Sequence, residues 1–124
     1  MAFVDTAKQH VNNLPQGSAE RLILEFLIEN GVGHLNAQPW SAIESHLKTN
    51  GISIRQQTFQ QGLLKRSRAG DLFIGSNDHE PGRGYFLIVD KQDAQVMRDW
   101  YTRRIQVETE HLRHLDQLIS QEWP

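Results

Sequence analysis

The 124-residue sequence contains no cysteine, which excludes disulfide bonds and thiolate chemistry and suits a reducing compartment. Its longest apolar run is the five residues from Tyr85 to Val89. A membrane-spanning helix needs about 20 such residues. The start of the chain becomes polar at Asp5 and Lys8, unlike a signal peptide. We therefore expect a cytoplasmic protein that folds as one domain.

Residues that support catalysis are also scarce. His111 and His114 lie three positions apart, a spacing that places two imidazoles on one metal ion, but no third ligand lies nearby. The glycine-rich segment 75–84 lacks the GxxxxGK pattern of a phosphate-binding loop. No serine, histidine and aspartate are arranged in a way that indicates a catalytic triad. The sequence therefore predicts no enzyme, no cofactor and no metal site.

Positive charge is concentrated in one segment of a weakly acidic chain. The net charge is −2, which argues against a protein that coats nucleic acid indiscriminately. Residues 51–70 nevertheless contain four basic side chains and no acidic one. If this segment is a helix that buries Phe59, a step of about 100° per residue gives it a polar opposite face. That face is formed by Gln57, Gln61, Lys65 and Arg68.

Such a face suits duplex DNA, because glutamine amides pair with adenine while lysine and arginine contact guanine or phosphate. The alternative is a solvated helix face that binds nothing.

Hydrophobic spacing and turn residues predict an α+β chain that is mainly helical. The predicted helices cover residues 3–14, 18–30, 41–50, 55–70 and 91–122. Apolar segments over 72–74 and 85–89 predict a hairpin with a polar tip, and 34–38 predicts a short strand at its edge. Ser18, Ser41 and Asp90 are the expected N-caps.

The last predicted helix has apolar residues at near-heptad spacing, interrupted by Glu108. They are Ala94, Tyr101, Ile105, Leu112, Leu115 and Ile119. A helix of about 30 residues is roughly 45 Å long, which exceeds what this small body can cover. We expect its apolar face to meet a second copy of the chain. The alternative is a helix folded back along its own domain.

The predicted order of helices, short strand, tight turn and hairpin resembles the winged-helix branch of helix-turn-helix DNA-binding domains. The most telling segment is 52–72, where a Gly-apolar-Ser turn leads into Arg-Gln-Gln-Thr-Phe, Leu-Leu-Lys-Arg and Ala-Gly-Asp-Leu. A C-terminal dimerisation helix is similar to that of PadR-like regulators. The resemblance implies an N-terminal helical arm over 1–17, a winged-helix domain over 18–90 and a dimerisation helix over 91–124.

The resemblance also implies a function: a homodimer that binds double-stranded DNA sequence-selectively as a transcriptional regulator, with no membrane partner. The implied DNA-binding residues are Arg55, Gln57, Thr58, Gln61, Lys65, Arg68 and, on the wing, Arg83. The predicted wing region is acidic, because it contains Asp71, Asp78, Glu80 and Asp90 against the single basic residue Arg83. The alternative is therefore a winged-helix protein-interaction or assembly module that does not bind DNA.

Overall fold

The structure, a computed structural model, describes residues 3–70, 74–77 and 83–124, and within α1 the side chains of residues 3 and 4 are outside that description. It is an α+β structure that is mainly helical, with a two-stranded antiparallel sheet and a long C-terminal helix. The predicted fold class is confirmed at that level.

The elements follow the predicted order along the chain. They are α1 (Phe3–Val11), α2 (Ala19–Asn30), a 3-10 turn (His34–Asn36), α3 (Trp40–Thr49), α4, β1 (Ile74–Asn77), β2 (Gly84–Leu87) and α5 (Lys91–Glu122). Helix α4 consists of three consecutive segments: an α-helical turn (Gln56–Phe59), a π-helical segment (Gln60–Leu64) and a second α-helical segment (Lys65–Ala69). The predicted limits of α5 are confirmed, whereas α1 ends earlier than predicted.

Two of the three predicted N-caps are confirmed. The Ser18 hydroxyl accepts a hydrogen bond from a backbone N–H of the first turn of α2 at 3.2 Å, and the Asp90 carboxylate does the same for α5 at 2.8 Å. The predicted cap at Ser41 is wrong, because α3 already begins at Trp40 and no side chain caps it. Pro39 precedes that helix, and its ring holds φ at −67°, which suits a residue leading into a helix.

One apolar core holds α1 to α4 and the sheet together. Helix α2 is central and buries Ile23, Leu24 and Leu27 completely or almost completely. The other buried members of the core are Ala7, Val11, Ile43, Leu47, Phe59, Leu63, Leu64, Ile74, Tyr85 and Leu87. Because α1 contributes to this core, the predicted N-terminal arm is docked on the body.

The hairpin is longer on its first strand than the sequence predicted. Residues 75–77, which were expected in the tip, pair with β2 through Gly75 opposite Phe86 and Ser76 opposite Tyr85. A Cβ at Gly75 would lie 2.5 Å from the Phe86 ring, so glycine is required there. The remaining parts of the predicted strand and tip, 71–73 and 78–82, lie outside the described residues.

The predicted short edge strand is reduced to a bridge. The backbone of Gln38 exchanges hydrogen bonds with that of Tyr85 at 2.7 and 2.8 Å, which extends the sheet by one residue beside β2. Val32 forms a second, parallel bridge with Leu87. The chain between α2 and α3 is therefore attached to β2, although most of it is a 3-10 turn rather than a strand.

Helix α5 packs on the body only through its first turns. Met97 is buried against Phe86 and Ile88 in a second, smaller cluster. Beyond Trp100 every residue of the helix is exposed, including large apolar ones. These are Tyr101, Ile105, Val107, Leu112, Leu115, Leu118 and Ile119. Among the described residues, no helix has the length and apolar character needed to cross a bilayer.

Asp93 connects three elements at the point where α5 leaves the sheet. Its side chain is 2 % exposed and accepts hydrogen bonds from the backbone N–H groups of His34 (2.9 Å) and Val89 (3.0 Å) and from the His34 ring. Burial raises the pKa of this carboxyl, but the bonds from His34 and Val89 outweigh burial and lower the pKa below its ordinary value. The ionised carboxylate therefore holds the 3-10 turn, the end of the hairpin and α5 together.

We predict that Asp93→Asn lowers the free energy of unfolding by about 2–3 kcal/mol at pH 7, because the hydrogen bonds to a buried charge are removed. Urea denaturation measures this decrease. Because the folded pKa of Asp93 is lowered, its contribution is fully present above the unfolded pKa of about 3.9. The contribution disappears as the pH falls through the folded pKa, so the parent and the variant should converge in acid.

The matched control is Asp99→Asn, which removes the same charge from an exposed position of the same helix. It should change stability by less than about 0.5 kcal/mol. Equal stability of parent and Asp93→Asn across the pH range would contradict the role assigned to this carboxylate.

Candidate functional site

The outer face of α4 is open to solvent. Five of the seven residues predicted to contact DNA are exposed on α4 or immediately before it: Arg55, Gln57, Thr58, Gln61 and Lys65. Phe59 and Leu63 on the opposite side are 2 % and 1 % exposed, as the helical spacing predicted. No acidic residue occurs between 51 and 70, so this face combines amides and cations.

Arg68 does not belong to that face, and this is a correction to the prediction. The π-helical segment Gln60–Leu64 has more residues per turn than an α-helix, so every later residue lies further back around the axis than a 100° step places it. Leu64 and Ser67 consequently face the core, at 4 % and 2 % exposure. Arg68 is rotated to the flank of α4, where it is half-buried against α5.

Arg66 lies on the other flank and forms an ion pair with Glu20 of α2. The Glu20 carboxylate also approaches Gly62, since a Cβ there would lie 3.4 Å from its Oε1. A negative charge from α2 therefore borders the α4 face on this side. Arg55 and Lys65 are the basic residues that remain on the exposed face itself.

Two glutamines that the sequence did not single out hold α4 against the hairpin. The amides of Gln56 and Gln60 donate hydrogen bonds to the Tyr85 hydroxyl at 2.8 and 3.1 Å. The Tyr85 ring packs edge-on against Phe59, with ring centroids 4.9 Å apart. These contacts fix which side of α4 faces the sheet. In each Gln-Gln pair, at 56–57 and 60–61, the first glutamine is the one whose amide bonds to the hairpin, although all four residues are exposed.

A cleft of about 560 Å³ lies between α4, the hairpin and the first turns of α5. Its described lining includes three arginines, one each from α4, the start of β2 and α5: Arg68, Arg83 and Arg104. Gln56, Gln60, Ser76, Asn77, Trp40, Tyr85 and Trp100 are among the other lining residues. None of the described lining residues is acidic.

Two of the three arginines in the cleft contact the same indole ring. Arg68 and Arg104 each lie 5.3 Å from the centroid of Trp100. Arg68 also donates a hydrogen bond to the Ser76 hydroxyl at 2.6 Å, while its Nε is buried without a hydrogen-bond partner among the described residues. Burial is the main cause that lowers the pKa of Arg68, and the positive charge of Arg104 acts in the same direction.

Arg83, the residue predicted to act on the wing, is exposed immediately before β2 and borders this cleft. It therefore lines the same cleft as Arg68. Sequence reasoning missed Arg104 and Trp100 as site residues, because α5 was interpreted only as a dimerisation helix. Of the acidic residues in the predicted wing, Asp71, Asp78 and Glu80 lie outside the described residues, and Asp90 is the N-cap of α5.

His111 and His114 lie on the exposed part of α5. Within 3–70, 74–77 and 83–124, no group of three or more histidine or carboxylate side chains is placed to hold a metal ion.

Comparison with known proteins gives a weak similarity. The chain is 23% identical over 111 residues to cytidine deaminases from three strains of Shewanella baltica. The match covers 78% of this chain but only 37% of each relative, so the chain spans little more than a third of their length. No protein-family profile matches the chain. No solved structure matches it either.

The prediction that the protein is not an enzyme is contradicted by this similarity, because the relatives are named for an enzymatic activity. Zinc-dependent nucleobase deaminases hold their metal through histidine and cysteine ligands in a His-x-Glu and Pro-Cys-x-x-Cys pattern. This chain contains no cysteine and no His-x-Glu triplet. Its residues therefore do not fit that metal centre, and no catalytic step through zinc is assigned to them.

Proposed function

We propose that this chain is a winged-helix protein that binds duplex DNA sequence-selectively as a homodimer and regulates transcription. The observation that supports this most directly is the exposed, acid-free face of α4. A helix that presents amides and cations to solvent can reach base edges and phosphates at the same time.

The order of elements supports the winged-helix interpretation. Helices α3 and α4 are joined by residues 50–55, in which Gly51 adopts a φ of +76°, a backbone conformation that favours glycine and lets the chain turn from one helix into the next. The hairpin follows α4 directly, and Gln38 bridges to its second strand. In this interpretation α4 is the recognition helix, the turn between β1 and β2 is the wing, and the edge bridge corresponds to the first strand.

The face of α4 divides into two parts with different tasks. Gln57 and Gln61 lie one helical turn apart on the exposed side and would read base edges. Arg55 and Lys65 lie at either end of them and would contact the DNA backbone, with Thr58 beside Arg55 as a further donor. Cations at both ends of an amide pair suit a helix lying in the major groove.

The exposed apolar face of α5 supports the homodimer. Ile105 and Leu112 are 64% and 59% exposed, which is a large apolar area for a helix that no other described element covers. Two copies related by a two-fold axis would present their α4 helices to half-sites about 34 Å apart. A protein-interaction or assembly module is the second candidate, because the same exposed face would equally accept a different apolar partner helix.

We predict that Arg55→Ala and Lys65→Ala weaken DNA binding on all sequences and reduce its salt dependence. The slope of log affinity against log salt concentration should become shallower by about 0.9 for each phosphate that the substituted side chain no longer neutralises. Fluorescence anisotropy on random and selected duplexes at several salt concentrations measures both effects.

The matched control is Lys91→Ala, an exposed lysine beyond the end of β2 that is remote from the wing. Unchanged affinity in both α4 variants, with a parent that binds DNA, would move the binding surface elsewhere.

We predict that Gln57→Ala and Gln61→Ala reduce discrimination between the preferred duplex and base-substituted duplexes by about 1–3 kcal/mol, because each removes a paired contact to a base edge. Random-sequence selection, followed by titration of the selected duplex, measures the change. Gln92→Ala, an exposed glutamine on α5, is the control and should keep the parent's base preference. If Gln57→Ala and Gln61→Ala keep the same base preference as the control variant, α4 does not take part in base recognition.

We predict that Leu112→Glu and Leu115→Glu convert a dimer into monomers, because like charges enter the apolar face of α5. Light scattering after size-exclusion chromatography measures the mass. Gln117→Glu adds the same charge to this exposed part of α5, outside the apolar stripe, and should keep the dimer. A monomeric parent would favour the second candidate, in which α5 binds a different protein.

A further inference from the structure

The cleft beside α4 brings together positive charges that the α4 face does not use. Arg68 and Arg104 lie at equal distances, 5.3 Å, from the centroid of the same Trp100 ring, and Arg83 borders the same space. Cation–π contacts hold guanidinium groups in fixed positions while leaving their N–H edges available. Trp100 therefore acts as a support that positions two arginines from different helices.

Two features of this arrangement call for an anion. Arg68, Arg83 and Arg104 are cations that line the same cleft, and the described lining offers no carboxylate to neutralise them, so a negative group in the cleft would stabilise all three. The buried Nε of Arg68 has no hydrogen-bond partner among the described residues, so the positive charge of this guanidinium is incompletely compensated within the protein. The neighbouring amide of Gln60 and hydroxyl of Ser76 can add neutral hydrogen bonds to the same acceptor.

We propose that this cleft is a phosphate-binding site, in which Arg68, Arg83 and Arg104 hold the phosphate group through charge-assisted hydrogen bonds. Three guanidiniums fit a doubly charged tetrahedral group better than a single carboxylate, because each planar fork can take a different pair of oxygens. The cleft has a volume of about 560 Å³, which leaves room for a phosphate group that belongs to a larger molecule.

Two sources supply this chemistry. One is a phosphate of the DNA backbone, because the cleft lies between α4 and the hairpin, where the sugar-phosphate chain beside the major groove would pass. This source rests on the proposed function. The other is a small phosphorylated ligand that binds independently of DNA. Both require the same three arginines, and they differ in whether free phosphate competes with the duplex.

The experiment compares the full-length parent with Arg104→Gln and Arg68→Gln. Arg104 is exposed, so its replacement leaves the fold intact, while thermal melting checks the half-buried Arg68 variant. Isothermal titration calorimetry with inorganic pyrophosphate, in a buffer free of phosphate and sulfate, measures the small anion. Fluorescence anisotropy with a duplex measures the backbone. Arg113→Gln is the control, because it removes the same charge from a part of α5 that does not line the cleft.

We expect Arg104→Gln and Arg68→Gln to weaken at least one of the two interactions by about tenfold, while Arg113→Gln matches the parent. Pyrophosphate binding that competes with the duplex, or weaker duplex binding without any pyrophosphate binding, assigns the site to the DNA backbone. Pyrophosphate binding with unchanged duplex affinity assigns it to a small ligand. Parent-like binding of both probes by both variants would overturn the proposal.

The proposed function and the cleft fail separately. If the Arg55 and Lys65 variants bind DNA like the parent while Arg104→Gln no longer binds pyrophosphate, the DNA-binding role of the α4 face is wrong and the phosphate-binding role of the cleft is supported. If the α4 variants lose DNA binding while replacing Arg68 and Arg104 changes neither interaction, the phosphate-binding role of the cleft is wrong and the DNA-binding role of the α4 face is supported.

Discussion

The buried carboxylate of Asp93 determines how α5 is attached to the rest of the protein. It accepts hydrogen bonds from the 3-10 turn and from the end of the hairpin, and it belongs to the first turn of the helix whose direction it sets. Two and three turns further along, Trp100 and Arg104 line the cleft because of that direction. An ionised group that is nearly inaccessible to solvent persists here because backbone and side-chain donors replace its water.

A second constraint is the π-helical segment within α4. It moves Leu64 and Ser67 into the core and Arg68 out of the row formed by Gln57, Gln61 and Lys65. One extra residue in a turn therefore separates two cationic regions that a regular helix would have merged. The first is the exposed face of α4, and the second is the cleft shared with α5. Segments of this kind recur at functional sites, because they redirect side chains without breaking the helix.

Much of the architecture could be predicted from the sequence because it follows from local patterns. The 3.6-residue spacing of apolar residues located α2 and the buried side of α4, and Asp90 marked the start of α5. The limits of the hairpin were less predictable. Gly75 resembles a turn residue as long as its pairing with Phe86 across the sheet is not known. The predicted cap at Ser41 is absent because α3 begins one residue earlier, directly after Pro39, whose fixed φ suits the residue that leads into a helix.

The candidate site was predictable only where it lies on one helix. Arg55, Gln57, Thr58, Gln61 and Lys65 share an exposed surface because their spacing is local. The cleft was not predictable, because Arg104 and Arg68 are far apart in the chain and meet only through the attachment of α5. Arg68 was predicted on the wrong side of α4, because a constant step of about 100° per residue does not allow for a π-helical turn. The similarity to cytidine deaminases, at 23% identity, had no counterpart in any sequence motif.

The 32 residues of α5 form a rod of about 48 Å that is anchored at one end only. If this helix tilted about its attachment at Asp93, which serves as the pivot, a tilt of about 5° would displace its far end by about 4 Å. The reverse also holds: a partner that grips the far end near Trp123 applies torque to the pivot. Arg104 lies eleven residues beyond Asp93, about 16 Å along the helix, so the same tilt would displace it by only about 1.4 Å and leave the arrangement of the cleft nearly unchanged.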